Sequence, residues 1–279
     1  MRLLLVKIIF LILLSLSLPG CETLQSLGSD DSEDGENYSG WDAKKFHEKA
    51  RAAMDAGNYN EAIKLYEALE ARYPFGPYAA QTQLDIAYAY YKNDDPEAAI
   101  AAADRFIKFH PRNPSVDYAY YLKGLVNYNR SIGFLDRFLP TDRSQRDPGN
   151  ARLAYENFAE LIRRFPDSKY VPDARQRMIA LKNNLAMYEV HVARFYMKRR
   201  AYIAAASRAN HVIEDFQRTP AVPHALKILE QAYTKLNLKD LAADAQRVFA
   251  QNYPNGLPDM SHGEKTIVEH LWDMTGFDE

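Results

Sequence analysis

FHEKARAAMDAGNYNEAIKLYEALEARYP, residues 46–74, returns 37 residues later as QLDIAYAYYKNDDPEAAIAAADRFIKFHP, residues 83–111. Ala50, Ala87 and Gly124 fall into one register, as do Ala62 with Ala99, Leu69 with Phe106, and Pro74 with Pro111. The signals recur after longer gaps at Ala154 with Pro166, at Ala205 with Gln217, and, 37 residues on again, at Ala242 with Pro254. An aromatic ring or imidazole precedes each end: Tyr73, His110, Phe165, Phe216 and Tyr253. Small residues let two helices cross closely, bulky ones fill the next layer, and proline stops the second helix from continuing. Gly57-Asn58-Tyr59 supplies the tight turn between the two helices of the first unit. The pattern predicts an all-α chain of αα-hairpins. Only 12 glycines in 279 residues agree with that and argue against a turn-rich β protein.

The period resembles the tetratricopeptide repeat, whose basic length is about 34 residues. Five such repeats are expected, with an amphipathic helix near 263–274 as an end cap. Each hairpin leaves an apolar face that only its neighbour covers, so the array stacks as a solenoid. Repeats one to three occupy 41–166, and repeats four and five 167–254, with an extension over 255–279. Repeat three is stretched by an insertion at 129–147 and repeat four by a long helix at 174–199. The insertion carries Ile132, Phe134, Leu135, Phe138 and Leu139. That apolar content belongs to a loop folded on the body or covering the mouth of a groove.

The first 20 residues read as an address. Arg2 and Lys7 precede the apolar run Ile8–Leu18, too short for the ~20 residues of a membrane-spanning helix. Leu18-Pro19-Gly20-Cys21 resembles the lipobox of bacterial lipoproteins, in which the only cysteine takes a diacylglycerol thioether and an N-acyl chain. No other cofactor is expected. By the same resemblance Glu22, in place of an aspartate, sends the chain to the inner leaflet of the outer membrane, facing the periplasm. Residues 21–40 then form a tether with six acidic and no basic residues, three glycines and four serines, a composition that cannot bury enough to order itself. Asp30-x-Ser32-x-Asp34-Gly35 opens like a calcium loop, but Trp41 stands where a bidentate Glu is required.

Chemistry finds little footing. The net charge of −2 gives no basic field for nucleic acid. One cysteine excludes a disulfide scaffold and a CxxC site. No GxSxG, P-loop or GxGxxG occurs, and His47-Glu48-Lys49-Ala50-Arg51 lacks the second histidine of HExxH. No enzymatic activity and no metal site are expected; the function rests on binding.

In this kind of repeat the first helix of each pair lines the inner surface. Register places Arg51 and Met54 inward in repeat one, Tyr88, Tyr91 and Lys92 in repeat two, and Tyr118, Tyr121 and Tyr128 in repeat three, while Tyr90 belongs to the core and Tyr120 points away. Tyrosine gives broad contact area at small rotamer cost and a hydroxyl for peptide amides. An extended peptide is the expected ligand, with Arg51, Lys92 or Lys123 available to a terminal carboxylate. In repeat four Arg194, Lys198, Arg199, Arg200 and Arg208 form the densest basic cluster of the body, suited to an acidic protein partner.

RYPFGPY (72–78), AYAYYKNDD (87–95), VDYAYYLKGL (116–125), DRSQRDP (142–148) and AMYEVHVARFYMKRRAYIAA (186–205) resemble the BamD family, lipoproteins of the outer-membrane β-barrel assembly machine. The resemblance implies that the N-terminal repeats receive targeting signals of unfolded outer-membrane proteins and the extended arm of a partner lipoprotein, BamC-like or BamE-like. It also implies that the C-terminal repeats dock a BamA-like barrel subunit through its periplasmic POTRA domain. The loop Arg72-Tyr73-Pro74-Phe75-Gly76-Pro77-Tyr78 falls in the receiving half, and Arg208 matches an arginine of the family's barrel-subunit contact. The alternative is a lipoprotein of pilus or secretin assembly, which also joins a lipobox to these repeats.

Overall fold

A computed structural model describes residues 38–132, 144 and 146–257. Cys21, most of the tether, the apolar middle of the insertion and the expected cap at 263–274 lie outside the described residues. Among the described residues there are ten helices and no strand: α1 (Ala43–Asp55), α2 (Tyr59–Arg72), α3 (Ala79–Lys92), α4 (Pro96–Phe109), α5 (Val116–Arg130), α6 (Gly149–Arg164), α7 (Val171–Lys198), α8 (Tyr202–Asp215), α9 (Ala221–Lys235) and α10 (Lys239–Asn252). Consecutive helices pack on each other throughout, and α7 also meets α9. From Ala43 onward they belong to one compact unit. No described helix is long and apolar enough to cross a membrane.

The turns explain the repeat. Inside hairpins one, two, four and five the first helix ends on a residue of positive φ: Gly57 (78°), Asp94 (60°), Arg200 (61°) and Asn237 (60°). The following N–H reaches five residues back, from Asn58 to Ala53 (2.9 Å), Asp95 to Tyr90 (3.0 Å), Ala201 to Tyr196 (3.0 Å) and Leu238 to Tyr233 (2.9 Å). This left-handed cap satisfies otherwise orphaned carbonyls. At Asp94, Arg200 and Asn237 a side chain stands where glycine fits best. Asp95 then caps α4, accepting from the Ala98 N–H at 3.2 Å, with Pro96 in the first turn.

Between hairpins a second turn recurs. The N–H of Tyr73, His110, Phe165, Phe216 and Tyr253 closes the second helix on Leu69, Phe106, Leu161, Val212 and Phe249, at 2.8–3.1 Å. Those five acceptor residues are all buried. Gly76, Asn113, Ser168 and Gly256 each donate to the ring-bearing residue three positions earlier. Where Gln217 replaces proline, the Thr219 hydroxyl donates to the Phe216 carbonyl at 2.7 Å.

The small residues sit where close crossing demands them. Ala50, Ala87, Ala62, Ala99, Ala154 and Ala205 have no exposed surface. Gly124 cannot be alanine without displacement, because a Cβ there would lie 2.4 Å from the Phe158 ring of α6. Two buried clusters build the stack. One, across α3 to α7, is rich in rings and branched chains, Phe106, Tyr120, Phe158, Leu161 and Leu181 among them. The other, across α7 to α10, is dominated by alanine: Ala186, Ala193, Ala205, Ala209, Ala221 and Ala225. The long helix α7 belongs to both.

Candidate functional sites: a tyrosine face and an arginine rim

Rings link the first helices of successive repeats: α3 meets α5 through Tyr88 and Tyr118, while α1 and α5 each meet the residue that leads into the next first helix, His47 on Tyr78 and Tyr121 on Tyr170. Tyr91 lies 6.1 Å from Tyr88, Tyr88 6.5 Å from Tyr118, and Tyr118 6.4 Å from Tyr121, centroid to centroid. Tyr121 stacks on Tyr170 at 4.7 Å and 14°. All five rings are half-buried. Offset and tilted ring pairs of this spacing are favourable beyond the area they cover. At the N-terminal end Tyr78 stacks on His47 at 4.7 Å, the same contact two repeats earlier, since His47 and Tyr121 share a repeat position.

Hydrogen bonds hold the rings in place. Asn129 donates to the Tyr91 oxygen at 2.7 Å, and the Tyr121 hydroxyl donates to Asp173 at 2.6 Å. Arg177 donates to the same carboxylate at 2.6 Å and lies 4.8 Å over the Tyr128 ring. Burial pushes the Asp173 carboxyl up, but the bonds from Arg177 and Tyr121 and the Arg177 charge outweigh it, and the carboxyl sits below its ordinary value. Burial, then the bond to Asp173, pushes the Tyr121 phenol up to about 12. Burial, with Tyr88 and Tyr170 adjacent, raises Tyr118 further. These phenols stay neutral donors at any physiological pH.

The other expected groove residues take varied positions. Arg51 is exposed and acts electrostatically on Asp85 and Tyr66, and Met54 is half-buried. Asp85 is raised by burial despite Gln81, His47 and Arg51. Lys92 turns its ammonium to the Tyr59 ring of α2, 5.6 Å away. It shares with Tyr91, Asn129 and Arg130 the wall of a cavity of about 360 Å³. Lys123 pairs with Asp104 of α4 at 2.6 Å, on the outer-helix side, so it does not serve the groove. Tyr90 is half-buried rather than core, with its hydroxyl 2.5 Å from Glu67 of α2. Tyr120 is buried against Phe165, away from the ladder.

The 72–78 loop is pinned at its ends and open at its tip. Arg72 lies 5.6 Å over the Phe46 ring, Tyr73 6.4 Å from the same ring, and Tyr78 on His47. Pro74 and Pro77 are exposed, Gly76 donates its N–H to Tyr73, and Phe75 between them is 98% exposed. Of the insertion, Ser144 is buried with its hydroxyl 3.0 Å from His191 Nε2 on α7.

The basic residues of repeat four differ in burial and in partners. Arg194 is half-buried and donates to His224 Nδ1 of α9 at 3.2 Å, while burial, Arg194 and His191 lower the His224 pKa and keep the ring neutral. Arg199 lies 5.4 Å over Phe195, Lys198 is exposed, and Arg200 makes the hairpin turn. Arg208, on α8, donates through Nη1 to Glu189 of α7 at 3.0 Å; the Glu189 side chain is 5% exposed and that of Arg208 45%. The Glu189 bond and charge hold Arg208 firmly cationic. Arg208 stands on the rim of an open depression of about 810 Å³, bounded also by Ile203, His211, Tyr233, Leu236 and Leu238.

Sequence reading missed Tyr170, Asp173, Arg177 and His47 on the inner face, and Glu189 behind Arg208. A signal for Tyr170 existed. It follows Phe165 by five residues, as Tyr78 follows Tyr73.

Residues 40–248 match the family model described as YfiO, outer membrane lipoprotein. The chain is 46% identical over 256 residues to the outer membrane protein assembly factor BamD of Neisseria gonorrhoeae, covering 92% of this chain and 94% of that one. It is 37% identical over 208 residues to the Vibrio cholerae protein of the same name, covering 75% and 86%. To the protein of that name in Xylella fastidiosa Temecula1 it is 36% identical over 236 residues, covering 85% and 78%. With its hairpin stack, tyrosine face and matched length, the chain belongs to the YfiO/BamD family of outer membrane lipoproteins.

Proposed function

We propose that this protein is an outer-membrane assembly factor that works by binding alone, holding an extended peptide on its tyrosine face and a protein partner at the Arg208 rim. Its relatives carry the name of outer membrane protein assembly factors, and none of those named above favours the pilus or secretin alternative. The observation that carries the reading is the unbroken row Tyr91, Tyr88, Tyr118, Tyr121 and Tyr170, half-buried along α3, α5 and the turn that leads into α7. Rings fixed by neighbours lose little entropy on contact, which suits them to an extended chain with aromatic side chains. The peptide is a targeting segment of an unfolded β-barrel protein or the arm of a BamC-like or BamE-like lipoprotein. Phe75, projecting from the loop next to the inner face, extends the receiving surface. The partner at the rim is the periplasmic POTRA domain of a BamA-like barrel subunit, and its acidic groups meet Arg208. Acyl chains on Cys21, at about 0.8 kcal/mol per buried methylene, anchor the chain to the inner leaflet.

Fluorescence anisotropy of a labelled C-terminal peptide from an outer-membrane β-barrel protein tests the groove. Tyr88→Ala with Tyr91→Ala should weaken binding about thirtyfold or more, at roughly 1–2 kcal/mol for each ring lost, with the helical melting curve retained. Unchanged affinity in the folded variant contradicts the groove.

A further inference from the structure

Glu189 is an acid where an acid is costly. It lies on α7 between the buried Ala186, Val190 and Ala193, and its side chain is almost wholly covered. A carboxylate in that setting needs a cation with good hydrogen-bond geometry. Arg208 provides one, Nη1 to Oε2 at 3.0 Å, from the helix packed alongside. A guanidinium has five N–H groups in a planar fork, and this contact engages only one edge of it. The remainder of Arg208 is open to solvent beside the apolar wall made by Ile203, Tyr233, Leu236 and Leu238. The arrangement differs from an exposed ion pair between two mobile side chains, because here one member is fixed within the fold and the other is aimed outward from it.

We infer that Glu189 is a positioning residue for docking: it fixes the Arg208 guanidinium at the rim so that its outer N–H groups meet a carboxylate of the incoming protein. Docked, the three groups form a chain of buried acid, arginine and partner acid. A partner that pulled Arg208 away would strand Glu189 without its cation, so the partner must share the arginine rather than take it. The inference rests on the docking reading of Arg208 given above.

Affinity of the full lipidated chain for the barrel subunit's purified periplasmic domain, measured for wild type, E189Q, R208M and E189Q/R208M, tests it. R208M should weaken binding about thirtyfold or more, in the range for a truncated hydrogen-bonded interface charge, and E189Q alone by a smaller factor of about three- to tenfold. In the R208M background E189Q should change nothing further, and E189D should recover part of the loss. The Arg208 Nε–Hε signal in NMR should be sharp in wild type and averaged in E189Q, a readout that mere stability would not move. Wild-type affinity in R208M overturns the docking reading and this inference with it. An E189Q loss of equal size in both backgrounds overturns the inference alone.

Discussion

The two halves of the stack share a repeat and differ in what fills it. In the N-terminal half the inner helices meet through rings: Tyr88 on Tyr118, Tyr121 on Tyr170, Tyr128 under Arg177. In the C-terminal half α7, α8 and α9 meet through alanines, with Ala193, Ala205, Ala209 and Ala225 fully buried. Alanine crossings bring backbones close and leave little open on the surface, so recognition there falls to side chains at the edges. The tyrosine crossings leave Tyr88, Tyr91, Tyr118, Tyr121 and Tyr170 partly exposed. One packing rule, applied to small and to large residues, thus yields the two surfaces on which the proposed function rests, the Arg208 rim and the tyrosine row.

Closing the N-terminal half depends on a missing methyl group, and breaking that gives the largest effect. Gly124→Val should cost about 3 kcal/mol by forcing the Phe158 ring from the α5 backbone, read as a lowered urea midpoint. In the C-terminal half the sensitive point is electrostatic. Arg208→Glu sets a second carboxylate against buried Glu189 and should cost about 2 kcal/mol, largely recovered in Arg208→Glu with Glu189→Gln. Lost docking in Arg208→Glu alone therefore mixes local instability with lost contact, and the double variant separates them.

A smaller effect distinguishes two aspartates along the inner face by pH. Asp173 is held below its ordinary pKa of 3.8, so its stabilisation is present above that pH and is lost as pH falls through the lowered value. Asp173→Asn should destabilise at pH 7 by less than about 1 kcal/mol, since the group is partly exposed, and the gap should close below pH 3.8. Asp85 is raised by burial, so its favourable form is the protonated one and is lost as pH rises through the raised value. Asp85→Asn should leave stability at pH 7 unchanged or higher. Chemical denaturation at pH 3 and pH 7 reads both. The smallest effect belongs to the turns: Arg200→Gly should add about 0.5–1 kcal/mol, because glycine meets the positive φ without strain.

Much of this was legible in the sequence because the repeat is written twice in register, and residues 37 apart occupy like positions. Gly57 announced its turn, and Asp94 inherited the same conformation by alignment. Counting put Tyr88, Tyr91, Tyr118, Tyr121 and Tyr128 on the first helices of repeats two and three, where they are partly exposed. What escaped were contacts across the broken register: Tyr121 with Tyr170 and Asp173 spans the insertion, where no fixed period carries over. Glu189 escaped for another reason. A glutamate in mid-helix reads as solvated unless the helix packed against it is known to bring an arginine. The run Arg194 to Arg200 did not reveal its partners: Arg194 reaches His224 on another helix, Arg199 lies over Phe195, and Arg200 makes the hairpin turn with its side chain exposed.

Site-specific photocrosslinking in intact membranes tests the tyrosine face most directly, with the photoreactive residue placed at Tyr88 on that face and, separately, at exposed Arg152 on α6. The account predicts adducts with newly exported β-barrel proteins or a partner lipoprotein's arm from position 88 and none from 152. Equal yields at the two positions, or adducts from 152 alone, would contradict it.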